Sequence, residues 1–333
     1  MANKSSGIYN VIDTDGINRS ILNVMQSGED FNTFTTPKGL RELRQEIAKF
    51  LDALWHYEVD YQRMLITTGS QQSLNLLTYS LLKEGDTVLI EEPTYYGAID
   101  CFKKKGVKLV GVRLFEEGID LEDLESKIVE YKPKCIYVSP TFNNPTGYAW
   151  SGDCRVRFLE IINKYNVLVI EDDPYSLMNY TENEYKSLYQ LNDGKGVVYL
   201  GTFSKYISPS INVGYILASA DMIDTLYSFK ESFDLCTSLF SQMVVLDYLK
   251  NNDLQKIIQS KVVIYKMLVK QIMDEIIEKY GDKIESFSDI KGGLFLTAKF
   301  KGEVPKEDFS DLSRFYISGT HESEARINIC SVD

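Results

Sequence analysis

Histidine is almost missing from this chain: His56 and His321 are the only two among 333 residues. A histidine-built metal centre or nucleophilic triad is therefore not expected, no metal site is assigned, and proton transfer falls to other side chains. Cysteine is sparse too. Cys101, Cys135, Cys154, Cys236 and Cys330 are odd in number and show no C-x-x-C spacing, a pattern of free thiols in a reducing compartment rather than of a disulfide framework. No apolar run approaches the roughly 18 residues that cross a bilayer, and no signal-peptide order opens the chain, so a cytoplasmic location without membrane contact is expected. Positive charge is in deficit. With 36 Lys and Arg against 48 Asp and Glu the net charge is −12, which argues against nucleic acid as a partner because phosphate binding needs a positive surface. Internal repeats and low-complexity segments are absent as well.

What is present is a regular alternation of short apolar runs and helical patterns. Leu40, Leu43, Ile47, Phe50, Leu51 and Leu54 recur at helical spacing after Gly39. Met64–Thr67, Thr87–Ile90, Val107–Val112, Cys135–Val138, Val167–Ile170, Val197–Leu200 and Val213–Ala218 read as strands. The stretches between most of them, such as Gln71–Leu82, Asp120–Tyr131 and Asp153–Tyr165, read as helices. Ser70 is placed to cap the first of these. Strands separated by helices of ten or so residues predict right-handed crossovers and a mainly parallel sheet. From Asp221 onward the pattern turns helical, with a long amphipathic helix near Asp253–Tyr280, and Ile284–Phe300 returns to strands. We expect an arm at 1–38, a large domain at 39–235 and a smaller carboxyl-terminal domain at 236–333.

The chemistry-bearing stretches each follow an apolar run, where α/β proteins keep their reactive groups. In order they are Thr68-Gly69-Ser70-Gln71-Gln72, Glu92-Pro93-Thr94-Tyr95-Tyr96, Asn143-Asn144-Pro145-Thr146-Gly147, Glu171-Asp172-Asp173-Pro174-Tyr175 and Gly201-Thr202-Phe203-Ser204-Lys205. A lysine shielded from water has its ammonium form disfavoured and can serve as an amine nucleophile.

The ordered set from Phe34 to Arg326 resembles the fold-type I pyridoxal-phosphate enzymes, specifically the class I/II aminotransferases. Its wording is similar to the group with the aminoadipate and kynurenine aminotransferases and the aminotransferase-like domains of MocR-type regulators. The resemblance implies an α/β fold with a three-layer α/β/α large domain, a mainly parallel seven-stranded sheet and a smaller α+β domain. It implies pyridoxal 5'-phosphate as cofactor, an amino acid and a 2-oxo acid as small-molecule substrates, and a homodimer.

By the same resemblance Lys205 carries the cofactor as a Schiff base and moves the Cα proton, and Asp172 keeps the pyridine nitrogen protonated. Tyr175 and Asn144 bond the ring oxygen, and Asn144 also lines the substrate site. Tyr95 stacks on the ring, and the backbone of Ser70 and Gln71 with the hydroxyls of Thr202 and Ser204 holds the phosphate. Arg326, in Ala325-Arg326-Ile327-Asn328-Ile329, grips the substrate α-carboxylate, a task suited to a planar guanidinium fork.

Three departures stand out. The arginine expected seven residues after the lysine is Asn212, and the tyrosine expected five residues before Gly39 is Phe34. Only 33 residues separate Gly293 from Arg326, and seven follow it, fewer than the resemblance implies for a small domain. Two other readings stay open. One is a non-catalytic ligand-sensing domain of a MocR-type regulator, which requires the chain to be a fragment because about 33 polar residues cannot form a winged-helix domain. The other is a different pyridoxal-phosphate reaction on an amino acid.

Overall fold

The computed structural model describes residues 13–330. Among the described residues eleven strands run in chain order: β1 Met64–Thr67, β2 Thr87–Glu92, β3 Lys108–Phe115, β4 Gly118–Ile119, β5 Cys135–Val138, β6 Leu168–Asp173, β7 Val197–Thr202, β8 Gly214–Leu217, β9 Ile284–Phe287, β10 Phe295–Phe300 and β11 Glu324–Asn328. The α-helices are α1 Thr14–Gln26, α2 Arg41–Trp55, α3 Gly69–Leu81, α4 Tyr96–Lys105, α5 Leu121–Tyr131, α6 Gly152–Tyr165, α7 Leu188–Leu191, α8 Ala220–Asp234, α9 Leu239–Asn251 and α10 Leu254–Tyr280.

The large sheet has the order β1-β8-β7-β6-β5-β2-β3-β4. Strands β7, β6, β5, β2 and β3 are parallel, while β8 runs against both of its neighbours. The seven expected strands are all present. The eighth, the two-residue β4, folds back on β3 across the Glu116–Glu117 turn and is too short to register as a periodic run.

Side chains alternate between the sheet faces with period two, and this builds the layers. One face carries Leu89, Ile136, Val138, Val169 and Tyr199 against α2 and α6. The other carries Val88, Ile90, Tyr137, Ile170, Val198 and Leu200 against α3, α4 and α8. Because both faces are covered, the central runs of β2, β5, β6 and β7 are apolar on both sides, as buried parallel strands must be. In α2 the residues Leu43, Ile47 and Leu51 form the buried stripe. Strands β9, β10 and β11 form a separate antiparallel sheet in the order β11-β10-β9, with α10 leading into it.

The expected amino-terminal arm contains more structure than its sequence pattern suggests. Within the described residues, Asp13 caps α1 by accepting the Gly16 N–H at 3.1 Å, and the Tyr248 hydroxyl on α9 donates to the same carboxylate at 2.9 Å. Its buried side is made of Gly16, Ile17, Ser20 and Val24, too small and polar to stand out as an apolar stripe.

Candidate active site

Strands β2, β5, β6 and β7 are parallel neighbours, so the segments after them emerge along one edge of the sheet. Strand β1 pairs antiparallel with β8, and β8 pairs antiparallel with β7, so β1 points the same way and delivers the amino terminus of α3 to that edge. Topology alone therefore gathers Ser70 and Gln71, Tyr95, Asn144, Asp172, Tyr175 and Thr202–Lys205, which are scattered along the sequence from position 70 to position 205.

Asp172, the last residue but one of β6, is buried. Its Oδ2 accepts the Tyr137 hydroxyl at 2.6 Å, while its Oδ1 is buried without a partner. Burial pushes its pKa up to about 6, with the Tyr137 hydrogen bond opposing, Asp173 adding to the rise and Lys205 lowering it. Its neighbour Asp173 points the other way, as β alternation requires. It accepts the Tyr199 hydroxyl at 2.8 Å and the Ser176 N–H at 3.0 Å, so its oxygens are committed.

Lys205 has an exposed flank, more open to solvent than a lysine held out of bulk water. Partial burial nevertheless lowers its pKa, with Arg326 adding to the depression and Asp172 opposing it. The amine thus lies within the field of both a carboxylate and a guanidinium.

The start of α3 corrects one expectation. Ser70 is not the cap; it lies inside the first turn, and the capping position belongs to Thr68, whose side chain makes no capping bond. The Thr68 hydroxyl instead donates to Thr237 Oγ1 at 3.3 Å. The Thr68 N–H is satisfied by Gln72 Oε1 at 2.8 Å, and that oxygen also accepts from the buried Lys230 at 3.1 Å, itself paired with Asp234 at 2.7 Å. The N–H groups of Ser70 and Gln71 are first-turn donors with no acceptor in their own helix, suited to an anion.

Thr202 has hydrogen bonds of its own within the fold. Its hydroxyl accepts the Ser204 N–H at 3.1 Å and donates to the Val213 carbonyl at 3.4 Å, so it shapes the lysine loop. Ser204 Oγ, in contrast, is buried and unpartnered, as is Asn144 Oδ1.

Tyr95 is partly buried and donates its hydroxyl to Gln71 Oε1 at 3.2 Å. Burial pushes its pKa up to about 12, with Tyr96 and Asp172 adding to the rise and Arg326 opposing it. Tyr175 is buried with its ring edge-on to Phe295 at 5.9 Å, and burial followed by Asp172 raises its pKa far above the usual phenol value. Arg326 pairs with Thr297 across β11 and β10, and Tyr96, Tyr175 and Tyr95 lie near enough to act on its charge. Its guanidinium lies 4.7 Å from the Phe295 ring centroid and 5.0 Å from that of Phe315, with no ion pair among the described residues.

The donor set fits pyridoxal phosphate. A lysine, an orphaned buried carboxylate oxygen, an orphaned amide, a flat phenol and an uncapped helix start with a free serine hydroxyl match an aldehyde, a ring nitrogen, a ring oxygen, a ring face and a phosphate. No cluster of metal-ligating side chains occurs among the described residues. The cysteines are free. No helix among the described residues is long and apolar enough to cross a membrane.

Sequence reasoning missed Tyr137, which bonds Asp172, and Glu91, which holds the Asn143 loop. The 2.0 period of β5 places Tyr137 on the same sheet face as Asp172, and that was the one available signal.

A sheet of this order with a lysine after β7 and an aspartate near the carboxyl end of β6 defines a pyridoxal-phosphate transferase of fold type I. The profile of "Aminotransferase class I and II" matches residues 6–299, and the chain belongs to that family, whose enzymes bind pyridoxal phosphate. It is 32% identical to aromatic-amino-acid aminotransferase 1 of Thermococcus litoralis over 80% of this chain and 64% of that protein. It is 27% identical to an uncharacterized HTH-type transcriptional regulator of Bacillus subtilis over 83% of this chain and 57% of the regulator. Among solved structures, the alpha-aminoadipate aminotransferase of Thermus thermophilus, complexed with N-(5'-phosphopyridoxyl)-L-leucine, superposes with a TM-score of 0.89 at 28% identity, covering 98% of this chain and 85% of that one.

Proposed function

We propose that this protein is a pyridoxal-phosphate-dependent aminotransferase that moves an amino group between an α-amino acid and a 2-oxo acid at Lys205. The observation that carries the reading is the pairing of an amine of lowered pKa, Lys205, with an orphaned buried oxygen, Asp172 Oδ1, within one electrostatic neighbourhood.

When bound, pyridoxal phosphate supplies an aldehyde that takes up the amino group and a ring that draws electrons from the reacting carbon. Asp172, ionised, holds a proton on the ring nitrogen. Tyr175 and Asn144 hydrogen-bond the ring oxygen, and Tyr95 covers the ring face. The N–H groups of Ser70 and Gln71 and the Ser204 hydroxyl hold the phosphate. Arg326 binds the substrate carboxylate through a bidentate fork. Lys205, neutral for a larger share of the time than a solvated lysine, would act as the base that takes the proton from the substrate Cα.

The lysine-bearing unit spans 39–235 and the smaller unit 236–333. The assembly we propose is a cytoplasmic homodimer, in which a partner would cover some of the exposed apolar side chains Leu22, Met25, Phe31, Phe34, Leu235 and Phe240. The likeness to transcriptional regulators favours one rival, a domain that binds the same ligands without turnover.

Assay of the purified protein against a panel of amino acids with 2-oxoglutarate or pyruvate separates the two. Turnover with any pair supports the aminotransferase. A protein that binds cofactor and amino acid yet forms no new amino acid with any pair is the sensor.

A further inference from the structure

Tyr137 on β5 and Asp172 on β6 are joined by geometry before chemistry. The strands are parallel with Tyr137 opposite Ile170, so Tyr137 stands one sheet step behind Asp172 and on the same face. The phenol ring is fully buried, edge-on to Phe102 at 6.0 Å, and its hydroxyl reaches Asp172 Oδ2 at 2.6 Å. Among the described residues no other donor bonds this carboxylate, and its second oxygen, Oδ1, is buried and bare.

Resting on the cofactor reading above, we propose that Tyr137 is a positioning residue: its hydroxyl holds Asp172 by Oδ2, turning Oδ1 toward the cofactor ring nitrogen and favouring the ionised carboxylate. The surroundings make that bond matter. Asp173 on β6 and, above about pH 7, Glu91 on β2 bring negative charge near, Tyr95 and Tyr175 flank the group as neutral phenols, and Lys205 is the cation that faces it. Burial already lifts Asp172 to about 6, and Tyr137 is the first force that opposes the rise. Tyr137 stays a donor throughout the working range, because burial and the charge of Asp172 push its own pKa far up. A hydroxyl donated to a carboxylate stabilises its charged form, and a neutral acid in this position would not hold the ring nitrogen's proton.

The test is Tyr137→Phe, which keeps the ring against Phe102 and removes only the hydroxyl. Binding of pyridoxal phosphate is followed by absorbance and equilibrium dialysis from pH 5 to 9 in wild type, Tyr137→Phe, Asp172→Asn and the double variant. Loss of a hydrogen bond to a charged group corresponds to about one to two pH units. The acid-side fall in cofactor affinity should therefore move up by about that much in Tyr137→Phe, and the shift should vanish when Asp172 is already Asn. An unshifted profile overturns the inference. So does a loss that is independent of pH and equal in the Asp172→Asn background, which would assign Tyr137 to packing alone. A wild type that forms no borohydride-fixable link at Lys205 would instead sink the cofactor reading beneath it.

Discussion

The side chain of Asn212 covers Gly69, the first residue of α3: a Cβ on Gly69 would lie 3.3 Å from Asn212 Cγ and nearer still to its Oδ1. Both residues sit in the left-handed region, Gly69 at φ 72° and Asn212 at φ 49°. An amide thus stands at the helix start where the family resemblance places a guanidinium. Asn tolerates this conformation better than most side chains, because its short amide bonds locally.

The first prediction follows. Asn212→Arg should tighten pyridoxal phosphate binding about tenfold or more, since a charge-assisted bond to the phosphate contributes roughly 1.5–3 kcal/mol. The same change should lower stability of the cofactor-free protein by about 1 kcal/mol through the left-handed backbone. Equilibrium dialysis and thermal melting read the two effects separately. Equal affinity in both proteins would show that another cation already serves the phosphate. Lys230 is not that cation, because it is buried and held by Asp234 and Gln72.

The second prediction concerns Arg326. Stacked between Phe295 and Phe315 without an ion pair among the described residues, its planar fork is preorganised for a carboxylate. Arg326→Lys keeps the charge and loses both fork and stacking. The KM for the amino acid should rise by about ten- to a hundredfold while cofactor affinity stays within a factor of about two. An unchanged KM would move the carboxylate to Arg314, whose guanidinium lies 4.6 Å from the Tyr96 ring centroid.

The third prediction is a pH dependence of stability. Fully buried Glu91 accepts the Ser139 N–H at 2.7 Å and the Asn143 side-chain amide at 2.8 Å, and so holds the loop that carries Asn144. Burial pushes its pKa up to about 7 from 4.5. The folded protein then keeps a proton that the unfolded chain releases, so stability falls as pH rises from about 4.5 to 7. Glu91→Gln cannot ionise. Its melting temperature should drop less between pH 5 and 8 than that of wild type, although not by nothing, because Glu171 is raised to about 7 as well. Identical drops would mean that Glu91 stays charged in the fold.

Much of this was readable from the chain, and the reasons for the exceptions are physical. Buried parallel strands announce themselves as apolar runs, and each motif sits just beyond one, so the edge that collects Asp172, Tyr175 and Lys205 followed from order alone. Helix α1 did not, because its buried side rests on Gly16 and Ser20 and its stability on the Asp13 cap and a hydrogen bond from Tyr248, 235 positions away. Ser70 looked like a cap because local sequence favours it there. The choice went to Thr68 because Gln72, held by Lys230 from another helix, satisfies the Thr68 N–H. The Thr202 hydroxyl also has a partner that local sequence does not show, the Val213 carbonyl 11 positions on. Tyr137 and Glu91 act through partners 35 and 52 positions away, a kind of pairing that no local pattern encodes.

The central claim is that Lys205 carries the cofactor, and covalent trapping tests it most directly. Wild-type protein given pyridoxal phosphate is reduced with borohydride, digested, and the labelled peptide sequenced by mass spectrometry. The account predicts a yellow protein before reduction and a single phosphopyridoxyl group on Lys205, with none on the Lys205→Ala protein. A label on another lysine, or equal labelling of Lys205→Ala, would contradict it.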